Sequence, residues 1–496
     1  MNTRSKRIAA KVAAVRAGSQ PRVLDLFAGC GGISLGFESA GFEIAAAVEY
    51  DEHAAASHAM NFHGGDPTHG RARDITQQDP DELAGELGLG PTAEAVDVVV
   101  GGPPCQAFAR VGRAKLREVA AHPEAFLGDD RASLWVRLVA YVEAFAPAAV
   151  VVENVPDALN FGGVNIAAEI GDALELLGYR VSYTLLNSAW FGVPQFRERM
   201  FLIALHESVG SDPVFPSPRY WANLPAGYHG TRSVATKHLV QSAISGLDQG
   251  RTDQRFVFPS TPDKALPAAI TARDALDDLP PITGHLRGEM KRGARRFDTL
   301  TSYESSPAEG TYGQRMRSWP GHSGLNDGGV WDHVIRYTPR DWPIFAAMKP
   351  GDQYPEAHAI SLALFEKEVV AREEELDRPL TAAERSRIRE DMVPRYDVAK
   401  FPNKWWKLDP DAPSRTLMAH MGKDTYSHIH YDSSQSRTVS VREAARLQSF
   451  PDGFRLSGTM NPAFRQIGNA VPPLLAGAVA SEVAKALGAH SKTRAG

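Results

Sequence analysis

Six short apolar runs, at 23–27, 44–49, 96–100, 149–153, 181–187 and 200–204, alternate with helical stretches such as 133–145 and 166–177. Most of these runs are apolar throughout rather than at every second residue, which is the pattern of strands covered on both faces. Such alternation of strand and helix specifies an α/β fold with an open, mostly parallel, doubly wound sheet. Ligands of that architecture bind outside the carboxyl ends of the strands, near the point where strand order reverses. The residues that end each run are therefore the candidates for chemistry.

The texture changes after about residue 206. From there to about 401 the chain is rich in Pro, Gly, Arg and aromatics, and Trp319, Trp331, Trp342, Trp405 and Trp406 gather toward the end of this region. One helical piece stands out at about 360–392, with a capping-box pattern from Thr381 to Glu384 opening a second helix. Its Glu373, Glu374 and Glu375 would repel phosphates, so it reads as scaffold. Globular patterning returns at about 414–487, where Leu475, Val479, Val483 and Leu487 share a helical face that packs on a core. There is no internal repeat.

Two cysteines, Cys30 and Cys105, exclude a disulfide framework or a cysteine-rich zinc site and suit a reducing cytoplasm. No apolar run reaches the roughly 18 residues of a membrane span. A net charge of −5 argues against an overall basic coat but leaves room for a local nucleic-acid footprint. Residues 1–21 hold Arg4, Lys6, Arg7, Lys11 and Arg16 without an acid, and Arg22 follows. They read as a flexible, solvated tail rather than a DNA-binding arm. A mitochondrial presequence fits less well, because strand-like sequence begins at Arg22 and leaves little room for cleavage.

The first run leads into Asp25-Leu-Phe-Ala-Gly29-Cys-Gly31-Gly32, and glycines directly after a buried strand let the backbone turn tightly against a ligand. Glu49 ends the second run 20 residues past Gly29, where an acid bonds ribose hydroxyls. Tyr50 could stack on an adenine, and Asp74 could accept from its amino group. These residues describe a nucleoside cofactor and leave NAD and other nucleosides equally open.

The next run ends in Gly101-Gly-Pro-Pro-Cys105-Gln106. A lone cysteine is often a small buried hydrophobe. Cys105, however, follows a strand in a rigid Pro-Pro turn, with Gln106, Arg110 and Arg113 nearby, the electropositive setting a thiolate needs. Glu153 ends another apolar run as either a solvated strand end or a carboxyl that exchanges a proton with a ring nitrogen. Gln195-Phe-Arg197-Glu-Arg199 supplies two guanidiniums, for structural ion pairs or for a carbonyl oxygen or phosphate.

Taken in order, these segments resemble the cytosine-5 DNA methyltransferases of prokaryotic restriction–modification and related systems. The resemblance covers about 22–206 and 412–487. Asp25–Gly32 is similar to the family's cofactor motif, 48–51 to its ribose motif and 73–75 to its adenine contact. Gly102-Pro-Pro-Cys105-Gln106 resembles the nucleophile motif, Glu153-Asn154-Val155 the acid motif, and 195–199 the arginine motif; 442–451 and 466–473 resemble the closing motifs. One departure is visible: Phe108-Ala109 stands where the family has Phe-Ser, which removes a hydroxyl that could touch DNA and leaves the chemistry at Cys105 in place.

The resemblance implies a Rossmann-like methyltransferase sheet at 22–206, a smaller irregular target-recognition domain at 207–411, and a return segment at 412–496 that completes and packs on the catalytic domain. It implies S-adenosylmethionine as cofactor and S-adenosylhomocysteine as product, held by Asp25, Phe27, Gly29, Gly31, Gly32, Glu49, Tyr50, Asp74, Ile75, Pro104, Leu134 and Asn469. Cys105 would attack carbon 6 of a flipped cytosine, Glu153 would bond N3 and the exocyclic amine, Arg199 would hold O2, and Arg197 would support Cys105 or a phosphate. Residues 107–130 would close on DNA as a lid. Expected DNA contacts are Gln106, Arg110, Arg113, Gln195, Arg287, Lys291, Arg292, Arg295, Arg296, Arg315, Arg317 and the 319–331 loop. The expected partner is double-stranded DNA, with no metal or membrane; the chain would be a monomer in a prokaryotic cytoplasm. A cognate restriction endonuclease or phage-defence partner is left open. Two rivals share the fold: a transfer-RNA-modifying relative, disfavoured by the long insert before Arg442, and a silent DNA-binding protein, disfavoured by intact Cys105, Glu153 and Arg199.

Overall fold

The computed structural model describes residues 2–104, 134–161, 164–225, 227–228, 232–233, 235–236, 253–290, 299–422 and 426–489. It divides into two compact units: Met1–Ala269 with Arg455–Ser457 and Ala470–Gly496, and Ile270–Phe454 with Gly458–Asn469. The division differs from the boundaries read from sequence. The described residues of 207–269 lie with the sheet and those of 412–454 with the second unit, where Tyr426–Ile429 pairs with Trp405–Lys407.

The first unit is an α/β sandwich around a six-stranded sheet, β1 (Arg22–Leu26), β2 (Glu43–Val48), β3 (Val98–Gly101), β4 (Ala149–Asn154), β5 (Tyr179–Asn187) and β6 (Glu198–His206), in the order β2-β1-β3-β4-β6-β5. The first four strands are parallel; β6 runs antiparallel to both β4 and β5. Valines at 98–100 and 150–152 are buried on both faces, as the continuous apolar runs require. Strand order reverses between β1 and β3, so the turns after these two strands flank the crevice at the carboxyl edge.

The unit's main helices are α1 (Thr3–Arg16), α2 (Gly32–Ser39), α3 (Glu52–Phe62), α4 (Leu134–Phe145), α5 (Ile166–Leu176) and α6 (Pro473–Leu487). A Cβ added to Gly36 would stand 2.4 Å from Ala476 Cβ, so α2 and α6 meet at a distance only glycine permits. Met460–Leu487 passes as a membrane span by length and composition, against the sequence expectation. It is two helices, and 67% of its most apolar window is buried in the fold, so it is core.

The amino terminus is also corrected. Residues 3–16 are helical and Ile8, Val12 and Val15 are buried, so this segment is docked rather than a solvated tail. Arg4, Lys11 and Arg16 are spent on backbone carbonyls, while Lys6 and Arg7 are exposed. Lys11 Nζ donates to Val96 O at 2.6 Å, Phe145 O at 2.8 Å and Ala146 O at 3.1 Å. The ammonium thus satisfies orphan carbonyls at the end of α4 and meets the negative end of its dipole. Arg16 donates to Val209 O at 2.7 Å.

The second unit has little regular sheet: β7 (Thr301–Ser302) with β8 (Gly329–Val330), and β9 (Trp405–Lys407) with β10 (Tyr426–Ile429). A helical hairpin, Tyr354–Leu376 and Ala382–Met392, begins earlier than expected and restarts at the Thr381–Glu384 capping box. Aromatics Phe345, Tyr354, Trp405 and Tyr426 form one buried cluster. Buried ion pairs form the other organising centre. Arg446 reaches Asp278 at 2.8 Å and Asp452 at 2.5 Å, Arg437 reaches Glu443 at 2.6 Å, and Arg442 reaches Asp332 at 3.2 Å. Losing one partner of such a pair strands a buried charge, which fixes the arrangement these segments adopt.

Candidate active site

At the end of β1 the chain turns sharply: Phe27 (φ 59°), Gly29 (φ 56°) and Gly31 (φ 104°) are left-handed. Phe27 holds a conformation unusual for a side-chain-bearing residue, the kind of local strain that gathers at functional sites. The inner side of the turn is full, because a Cβ on Gly31 would lie 2.3 Å from the Phe62 ring and one on Gly32 would lie 2.2 Å from Val471 O. Around Gly29 the space is open, with nothing among the described residues within 4 Å of an added Cβ.

Glu49 locks this turn to the next strand by accepting from Gly29 N at 2.8 Å and Asp51 N at 2.7 Å. Burial raises its carboxyl above the usual range despite those bonds. Beside it the Tyr50 side chain is exposed at 76%, presenting a ring face to solvent. Arg73 N donates to Glu49 O at 2.7 Å, bringing the 73–75 segment alongside. Asp74 Oδ1 accepts from Thr76 N and Oγ1, Oδ2 has no hydrogen-bond partner among the described residues, and Ile75 is buried.

Asp25 lies fully buried under the glycine turn. Ser34 Oγ donates to its Oδ2 at 2.6 Å and meets His58 Nε2 at 2.9 Å, while Oδ1 has no partner among the described residues. Burial pushes the Asp25 carboxyl from 3.8 up to about 7. The folded protein therefore holds this proton more tightly than the unfolded chain. That stabilisation is complete below pH 3.8 and is lost as pH rises through about 7. Asp25→Asn removes the dependence. In ligand-free melts from pH 4 to pH 7, the variant's melting temperature is expected to climb relative to the parent; parallel curves would show that Asp25 is not the buried acid.

β3 ends at Gly101, where a Cβ would lie 2.6 Å from Leu26 O, and the chain continues through Gly102, Pro103 and Pro104. Asn154, at the end of β4, donates from Nδ2 to Pro103 O at 2.8 Å, while its Oδ1 accepts from Val155 N. One side chain thus pins the turn on the neighbouring strand. Next to it, Glu153 pairs with Arg199 at 2.8 Å, with both side chains only 12–13% exposed. The antiparallel course of β6 makes this pair: its starting end lies beside the finishing end of β4, in the register Asn154↔Met200. Burial raises the Glu153 carboxyl above the usual range, outweighing Arg199 and Arg197. Arg197 is buried, and its backbone exchanges bonds with Ser188, at 2.8 Å to Ser188 N and 3.1 Å to Ser188 Oγ.

The carboxyl edge of the first unit thus gathers Asp25, Phe27, Gly29, Gly31, Gly32, Glu49, Tyr50, Asp74, Ile75, Pro104, Glu153, Arg197 and Arg199. Leu134 opens α4, and Asn469 closes a helix of the second unit. Cys105, Gln106, Arg110, Arg113, Lys291, Arg292, Arg295 and Arg296 lie outside the described residues.

Two expected DNA contacts are corrected. Gln195 is fully buried in the turn before β6, where its carbonyl accepts from Ser188 Oγ, so it is structural. Arg317 is 2% exposed and is consumed by Asp278 at 2.8 Å and by the Tyr303 ring at 3.8 Å. Arg287 is exposed but paired with Glu289 at 2.6 Å, and exposed Arg315 lies 5.6 Å from the Trp319 ring centroid. Sequence reasoning gave no task to Asn154, and none to Arg137 or Tyr141, a polar pair four residues apart in a mostly apolar helix whose spacing was a readable signal. Among the described residues no His, Cys, Asp and Glu group could hold a metal.

Fold and site together define an enzyme of the open α/β class, with a nucleoside-type glycine turn beside a buried carboxylate–guanidinium pair. The chain belongs to the C-5 cytosine-specific DNA methylases, whose family model matches residues 21–485, and is a DNA (cytosine-5) methyltransferase. It is 37% identical over 474 residues to M.OihORF3336P of Oceanobacillus iheyensis, covering 94% of this chain and 95% of that one. It is 32% identical over 492 residues to the type II methyltransferase M.AgeI of Thalassovita gelatinovora, covering 94% and 100%. A solved structure of a prophage-encoded E. coli protein shares the fold, with a TM-score of 0.57 at 20% identity over 95% of this chain and 99% of that one.

Proposed function

We propose that the protein methylates carbon 5 of a cytosine flipped out of a specific duplex DNA sequence, through a covalent bond between Cys105 and carbon 6. The observation that carries this reading is the buried Glu153–Arg199 pair, 2.8 Å apart and next to the anchored Pro103-Pro104 turn that leads into Cys105. S-adenosylmethionine fits the remaining edge. Among the described residues Asp25 Oδ1 has no partner and the space at Gly29 is open, Glu49 suits a ribose, and the Tyr50 ring suits an adenine. When bound, it supplies an electrophilic methyl group.

Cytosine carbon 5 is unreactive while the ring is aromatic. The Cys105 thiolate bonds carbon 6, and Glu153, whose raised proton affinity suits the task, protonates N3. Arg199 steadies charge at O2. After methylation, carbon 5 gives up its proton to solvent, the carbon 6–sulfur bond breaks to release the thiolate, N3 returns its proton to Glu153, and aromatic 5-methylcytosine is left. A stacked base cannot be reached this way, so extrusion precedes chemistry at a cost of about a few kcal/mol. The 207–411 region is proposed to read the sequence, within a type II restriction–modification setting like that of M.AgeI.

Bisulfite sequencing of DNA from cells that express the protein and otherwise lack cytosine-5 methylation tests the reading. Protection confined to one cytosine of a short recurring motif is expected. Unprotected DNA, with labelled methyl entering transfer RNA instead, would overturn it.

A further inference from the structure

We infer that Arg137, together with Tyr141, is a positioning residue that sets adenine recognition, although neither lies in the segment expected to touch adenine. Arg137 sits in α4 and is only 3% exposed. Its Nε donates to Ile75 O at 2.8 Å and its Nη2 to Gln78 O at 3.2 Å, while Tyr141 Oη donates to the same Gln78 carbonyl at 2.9 Å. Nη1 has no partner among the described residues.

The 75–78 stretch is irregular backbone, and its buried carbonyls need donors. A planar guanidinium forked between two carbonyls three residues apart fixes both the curvature of the stretch and its depth. At its start stand Asp74, with Oδ2 open to a donor, and Ile75. Leu134, Arg137 and Tyr141 lie one to two turns apart on one face of α4, so the helix that presents Leu134 to the cofactor also holds the loop that presents Asp74. Adenine selection is thereby referred to a helix buried in the core rather than to a free loop.

This rests on the S-adenosylmethionine reading above, and the test separates the two. The full chain and its R137Q, R137K and Y141F variants are titrated by calorimetry with S-adenosylhomocysteine and with S-inosylhomocysteine, which lacks the 6-amino group. Loss of a charged donor to buried carbonyls should raise the S-adenosylhomocysteine Kd of R137Q roughly 10- to 100-fold. The preference for the adenosyl over the inosyl ligand should fall toward 1, and KM for S-adenosylmethionine should rise while kcat at saturation holds. R137K should recover part of the loss, and Y141F, which removes one bond, should shift the same quantities less. A lowered melting temperature with unchanged Kd and preference in R137Q or Y141F would overturn the inference alone. A parent protein that bound neither nucleoside would overturn the cofactor reading beneath it.

Discussion

Serine in place of Cys105 is expected to abolish methyl transfer to duplex DNA while S-adenosylmethionine binding persists. The hydroxyl of serine is a far weaker nucleophile than a thiolate. Pro104, immediately before it, ends a turn that is held from β4 by Asn154, so the backbone that delivers residue 105 does not depend on the sulfur. Labelled-methyl incorporation into DNA, paired with calorimetric titration of the cofactor, gives both readouts. DNA carrying 5-fluorocytosine at the target should trap the parent covalently and leave the serine variant free. Turnover by Cys105→Ser would refute the assigned nucleophile.

Glu153→Gln should slow methylation by about two to four orders of magnitude, the usual worth of a positioned acid/base group. The amide keeps the shape and can still meet Arg199, but it cannot give N3 a proton. The loss should appear in kcat, with KM for the cofactor little changed, because Glu153 belongs to the base pocket and not to the glycine turn. Burial raises the parent carboxyl, so it stays protonated to higher pH than a free glutamate and loses that proton as pH rises. The fall of kcat with rising pH that Glu153 contributes should accordingly vanish in the variant. A glutamine enzyme at full speed, or one with the parental profile, would remove Glu153 from the proton path.

The sheet was legible because strands buried on both faces cannot hide: valines at 98–100 and 150–152 leave no polar side for a helix or loop to use. The glycine turn was legible for a related reason, since Gly31 and Gly32 stand where no side chain fits. Less could be read where meaning depends on a distant partner. The amino terminus looked solvated because sequence displays the charge of Lys11 but not the three carbonyls that consume it. Arg317 looked like a DNA reader because its partner Asp278 lies 39 residues away. Glu153 and Arg199 were each visible as candidates, yet their pairing needed the antiparallel course of β6, which continuous apolar runs do not encode. The second unit was opaque for its own reason. Two- to four-residue strands and arginine–carboxylate hubs carry no periodicity to detect.

The reversed final strand has a consequence for how such a protein can diversify. Arg199 reaches Glu153 only because the turn between β5 and β6 delivers it in one register. Lengthening that turn by a single residue would slide the guanidinium about 3.3 Å along the strand and swing it through to the opposite face. The segments that follow His206, proposed to read the sequence, stand outside that constraint, whereas the residue count from Asn187 to Glu198 acts as a ruler for the pair.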